Sequence, residues 1–124
     1  MGSIKTYKVY GPTDSLKRLS LALIEEIKPE YAYLTELSES QSVHVILYEE
    51  YLKQINSSVS LTCVFELKSR QLHIELASSG GRMGFRGSSL DIEQTIKDQV
   101  SSFILEYVKR YGLSVQESNK QTSR

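Results

Sequence analysis

From Val59 to Leu76 the chain alternates so regularly that a β-hairpin is the one simple structure that satisfies it. Val59, Leu61, Cys63, Phe65 and Leu67 fall on one side of an extended backbone, with Ser60, Thr62, Val64 and Glu66 on the other. After a short polar break, Leu72, Ile74 and Leu76 resume the pattern, with Gln71, His73 and Glu75 opposite. Side chains repeat every second residue, so a slip of one position would turn a row of leucine-type side chains to water. Apolar-in pairing therefore requires an even turn, either Lys68-Ser69 or Lys68 through Gln71. A hairpin with one apolar face needs a second layer to cover it.

Two amphipathic helices supply that layer. Leu16, Leu19, Leu23 and Ile27 recur at helical spacing, with Ile24 beside them. Thr13 or Asp14 is placed to cap the first helix after Gly11-Pro12, and Pro29 stops it. Ile92, Ile96, Val100, Phe103, Ile104, Tyr107, Val108 and Tyr111 form the second stripe. Ser88 or Ser89 is its expected cap, and Gly112 its expected left-handed C-terminal residue. Further strands are expected over Ile4 to Tyr10, Tyr31 to Leu37 and Val43 to Tyr51. The last of these has two apolar faces, Val43, Val45 and Leu47 against His44, Ile46 and Tyr48, as in a strand that is central or covered on both sides. The order is β-α-β-β-β-β-α. The expected fold is α+β, a two-layer sandwich with a mainly antiparallel sheet of five strands and both helices on one face. A sixth short strand around Met83 to Arg86 is the variant. Residues 1–112 make a single domain, and the polar, aperiodic 113–124 reads as a disordered tail.

Composition narrows function by exclusion. Fifteen basic residues balance fifteen acidic ones, so no global field draws the chain to nucleic acid. No apolar run reaches the length of a membrane span. Cys63 is the single cysteine, which rules out an internal disulfide and fits a reducing, cytoplasmic setting. Met1-Gly2-Ser3 fits the loose myristoylation pattern, but one acyl chain without a polybasic patch anchors weakly.

The remaining feature is glycine-rich. Ser78 to Ser89 holds Gly80, Gly81, Gly84 and Gly87, four of seven glycines, between the last strand and the second helix. Val45 through Tyr51, Ser58-Val59-Ser60-Leu61-Thr62, and Ala77-Ser78-Ser79-Gly80-Gly81 before a helix together resemble a family of small uncharacterised bacterial proteins, a domain of unknown function. That resemblance implies a small cytosolic bacterial protein, with no activity and no functional residues to carry over. From the residues themselves, Gly80, Gly81, Arg82, Arg86, Ser88 and Ser89 make the candidate ligand site. Backbone N–H groups, two guanidinium charges and the positive end of the following helix suit a small anion. Neither the P-loop nor the dinucleotide spacing is present. The competing reading is a plain strand-to-helix connection.

No catalytic constellation emerges. His44 and His73 read as exposed or half-exposed strand histidines, with Glu75 close enough to His73 for a surface pair. Cys63 lies in phase with the apolar face and reads as a small buried hydrophobe. No cofactor and no metal is expected. Clustered Tyr31, Tyr33, Tyr48 and Tyr51 suit an interface, with half-buried packing as the main reading of them. The leading expectation is a non-enzymatic interaction module that self-associates, as a homodimer through the sheet face or an edge strand. The alternative is a small anionic-ligand binder or enzyme using the loop 78–89.

Overall fold

The computed structural model describes residues 2–53, 56–80 and 95–122. Its elements run β1 (Gly2–Tyr10), α1 (Thr13–Glu26), β2 (Tyr31–Ser38), β3 (Gln41–Leu52), β4 (Ser57–Lys68), β5 (Gln71–Gly80), α2 (Ile96–Arg110) and β6 (Ser114–Thr122). The strands form one six-stranded sheet in the order β2-β3-β4-β5-β1-β6, every neighbouring pair antiparallel. Four consecutive strands thus neighbour their sequence partners, and β1 inserts between β5 and β6.

The β4–β5 hairpin turns on two residues, Ser69 and Arg70, because Lys68 pairs with Gln71. The turn is even, as the alternation demands, and Leu67 meets Leu72 and Phe65 meets Ile74 on the inward face. Ser69 takes the left-handed conformation at φ 60° that such a tight turn needs. Three connections are stitched together at this end. Ser69 N–H donates to Ser40 O at 2.8 Å, Gly11 N–H to Arg70 O at 3.2 Å, and Thr13 Oγ1 to Ser69 O at 2.9 Å.

Both helices cover one face of the sheet. Leu16, Leu19 and Leu23 of α1 and Val100, Ile104 and Val108 of α2 join a single core with Tyr7, Val9, Ile46, Leu61, Cys63, Phe65, Ile74 and Leu76. Burying a side chain of this kind contributes about 1.5–3 kcal/mol, so the layer as a whole depends on this one face.

The segment expected to be a disordered tail is instead β6. Gly2 through Tyr10 pair with Thr122 back to Ser114 along the full length of β1. The physical reason is that β1 would otherwise leave a row of unpaired backbone groups, and a ladder of N–H···O=C bonds satisfies them without apolar side chains. Leu113 and Val115 pack against the core, and Lys5 Nζ lies 3.7 Å from Glu117 Oε1. The sixth strand therefore arises at the C-terminal end. The alternative strand at Met83 to Arg86 lies outside the described residues.

The helix caps also differ from expectation. Thr13 is the first residue of α1 and spends its hydroxyl on Ser69 O; Pro12 occupies the cap position. On α2 the cap is Thr95, whose side chain accepts from Asp98 N–H at 3.4 Å, rather than Ser88 or Ser89. Gly112 has φ +65°, as a left-handed C-terminal residue should.

Candidate functional site

The uncovered face of the sheet is built directly by strand register. Tyr33 pairs with Val45 and Val45 with Val64; Tyr31 pairs with Leu47 and Leu47 with Thr62; Thr35 pairs with Val43 and Val43 with Glu66. These residues lie opposite the core-facing set of His44, Ile46 and Tyr48. Across β5, β1 and β6 the same rows continue as Glu75, Thr6 and Ser118, and as His73, Lys8 and Gln116. The outer face is thereby divided. Over β2 and β3 it is largely apolar and aromatic, a patch that Val64 extends onto β4, and over the rest of β4 and over β5, β1 and β6 it is largely polar.

At the border, Leu37, Val43, Glu66 and His73 line an open groove of about 400 Å³. Tyr31 (58% exposed), Tyr33 (52%), Leu34 (44%) and Leu37 (66%) all lie on β2, the edge strand. Soluble chains keep exposed apolar clusters on edge strands small, because such strands are ready templates for pairing.

The glycine-rich candidate is only partly described. Gly80 is the last residue of β5 and pairs with Val59, so it serves the sheet. Gly81, Arg82, Arg86, Ser88 and Ser89 lie outside the described residues. The described helix end beyond them already carries a negative group. Glu50 Oε1, from β3, accepts from Ile96 N–H at 2.9 Å, and Thr95 Oγ1 takes Asp98 N–H. A carboxylate at a helix N-terminus is favourable for the same reason a bound anion would be. Lys97, in that first turn, has its pKa lowered by burial first and by Lys5 second, with Asp98 opposing.

His44 departs most from its expected setting. It is 3% exposed, on the core side of β3 under α1. Its Nδ1 lies 2.5 Å from Ser20 Oγ, itself buried within the apolar stripe of α1. Burial lowers the His44 pKa; nearby Glu36 opposes the shift and Lys17 adds to it. Ser20 Oγ and His44 Nδ1 share one hydrogen bond, in which the hydroxyl donates when the ring proton sits on Nε2 and accepts when it sits on Nδ1. Lys17 and Glu36 form an ion pair at 3.4 Å beside it. A serine hydrogen-bonded to a neutral imidazole is the beginning of a nucleophile–base pair. Here, however, neither the β2–β4 groove nor the groove between the helices is lined by Ser20 or His44. The pair is a polar tie between α1 and β3. One sequence signal pointed to it: Ser20 stands one position after Leu19, inside the stripe that faces the sheet.

The other titratable groups are plainer. His73 Nε2 and Glu75 Oε2 are 3.4 Å apart on the open face. Cys63 is fully buried, which pushes its thiol up to about 12. Tyr48 donates to Ile27 O at 2.7 Å, and Tyr107 to Ser15 O at 2.8 Å. An open groove of about 1000 Å³ between α1 and α2 is lined by Glu25, Glu26, Tyr107, Lys109 and Arg110 among others. Among the described residues no group of three or more His, Cys, Asp or Glu side chains converges to hold a metal, and no helix is long and apolar enough to cross a membrane.

No family model matches the chain, and no curated protein matches it. Solved structures show loose similarity, among them the following. A conserved protein from Geobacillus kaustophilus aligns over 94% of this chain and 99% of its own, at 7% identity and a TM-score of 0.39. A protein from Thermus thermophilus aligns over 86% of this chain and 88% of its own, at 11% identity and a TM-score of 0.29. Likenesses this distant assign neither an activity nor a ligand.

Proposed function

We propose that this chain is a small non-enzymatic interaction module that self-associates, and that its working surface is the apolar half of the sheet's outer face together with the adjoining edge strand. The observation that carries this reading is the concentration of Tyr31, Tyr33, Leu34 and Leu37, all exposed, on a single edge strand. Beside them Val43, Val45, Leu47 and Val64 lie half-buried on a face that the helices leave open. Aromatic residues are enriched in protein interfaces, whose rims are polar; Glu66, His73 and Glu75 make such a rim.

Sedimentation velocity tests the proposal. Wild-type protein should move from monomer to dimer as concentration rises. Val45→Lys, which puts an ammonium in the middle of the apolar half and leaves the core untouched, should remain monomeric with an unchanged far-ultraviolet spectrum. A wild-type chain that stays monomeric up to millimolar concentration would refute the reading.

A further inference from the structure

We infer that two copies join edge to edge, by antiparallel pairing of β2 with β2 of the second copy about a two-fold axis at Leu34. This deepens the self-association reading and rests on it. The sheet has two outer strands, β2 and β6, and among the described residues neither is paired on its outer side. They are unlike. The β6 sequence SVQESNKQT is polar and carries Glu117 and Lys120, the composition that keeps an edge from pairing. The β2 sequence YAYLTELS carries the four exposed apolar side chains and a single charge, Glu36. Glu36 is held by Lys17 of α1 on the helix side. An edge that pairs with itself closes after two copies, whereas pairing of β2 with β6 of the next copy would propagate into a fibre.

Parity fixes the register. A two-fold axis normal to the sheet keeps the tyrosine face of one copy beside the tyrosine face of the other, so only residues of like parity oppose. Centred on Leu34, the pairing sets Leu34 against Leu34, Tyr33 against Thr35 and Ala32 against Glu36, and brings Tyr31 to the bulge that holds Leu37 between Glu36 and Ser38. Centred on Tyr33, it leaves Leu37 beyond the strand. Centred on Thr35, it drops Tyr31 and sets Glu36 against Leu34. The Leu34 register keeps all four exposed apolar side chains within the paired span, and Cβ atoms of residues opposed in its regular part lie about 4.5–5.5 Å apart.

This mode separates cleanly from stacking of two open faces. Leu34 pairs with His44 and so lies on the helix side, whereas Val64 lies on the open face. Leu34→Cys and Val64→Cys are each oxidised with copper phenanthroline and run on non-reducing gels, and each is also sedimented. Cys63, fully buried, keeps the wild type as an unlinked control. Leu34→Cys should be trapped as a covalent dimer and Val64→Cys should not. Linking of Val64→Cys alone would overturn edge pairing in favour of stacked faces, leaving self-association intact. Dimers in solution with neither variant linked would also overturn it, leaving the module reading in place. Monomers throughout would remove both. Hydrogen exchange on wild-type protein provides a check free of substitution. The amides of Tyr31–Ser38 should gain protection as concentration rises, at least tenfold between a dilute and a dimeric sample, and unchanged protection refutes the pairing.

Discussion

Replacing Ser20 with alanine isolates the tie between α1 and β3. The substitution removes the hydroxyl hydrogen-bonded to His44 Nδ1 at 2.5 Å and leaves that nitrogen in a site 3% exposed. A buried polar atom stripped of its partner costs about 1–3 kcal/mol. For a chain of this size that corresponds to a fall in Tm of about 3–5 °C per kcal/mol. Replacing both partners, as in Ser20→Ala with His44→Phe, removes the unsatisfied group as well, so the double variant should be more stable than Ser20→Ala alone. The pH dependence carries a definite sign. His44 has its pKa lowered in the folded state, so the unfolded chain binds the extra proton first. The stability it protects is complete above the unfolded value of about 6.5 and is lost as pH falls below it, until the folded value is reached. Between about pH 7.5 and about pH 5.5 the loss is at most about 1.4 kcal/mol. Urea denaturation of wild type and His44→Phe at both pH values measures it as a difference, in which the contributions of other groups cancel. A wild type that loses no more stability than His44→Phe over that interval, together with a Ser20→Ala cost below about 0.5 kcal/mol, would refute the account of this pair as a buried neutral tie.

Other parts of the fold give equally direct tests. Truncation after Gly112 should lower stability by more than about 2 kcal/mol in urea denaturation, because Leu113 and Val115 leave the core and β1 loses a full ladder; an unchanged midpoint would mean that β6 is not held. Gly112→Ala should cost about 1 kcal/mol in the same assay, since its φ of +65° penalises a Cβ even though nothing lies within 4 Å of one. Cys63 should react with Ellman's reagent only as fast as the protein unfolds, because burial pushes the thiol up to about 12.

What the sequence made legible followed from side-chain periodicity. The Val59–Leu76 alternation fixed a hairpin, its even turn and its inward face, and the two apolar stripes placed both helices on that face. β6 was illegible because Ser114–Thr122 holds one apolar residue, Val115, and its strand character comes from the edge of β1 rather than from its own side chains. The same logic hid His44. Both faces of β3 are apolar around it, and its burial depends on a serine from α1 that no local pattern ties to it. Thr13 looked like a cap because its neighbours describe a helix start, yet a turn 56 residues away claims its hydroxyl. The apolar outer half was visible in Val43, Val45 and Leu47, but which neighbours completed it depended on the strand order.

The place of β1 between β5 and β6 also sets a schedule. Tyr10 pairs with Gln71 and Val9 with Val115, so β1 has no sheet partner until β5 has followed it. At roughly 5–20 residues per second on a ribosome, β1 waits several seconds for β5 and longer for β6. The α1 stripe and the meander from β2 to β4 have partners much sooner. During synthesis, β1 is therefore the strand that waits longest for its neighbours, and the one that most needs shielding from other growing chains.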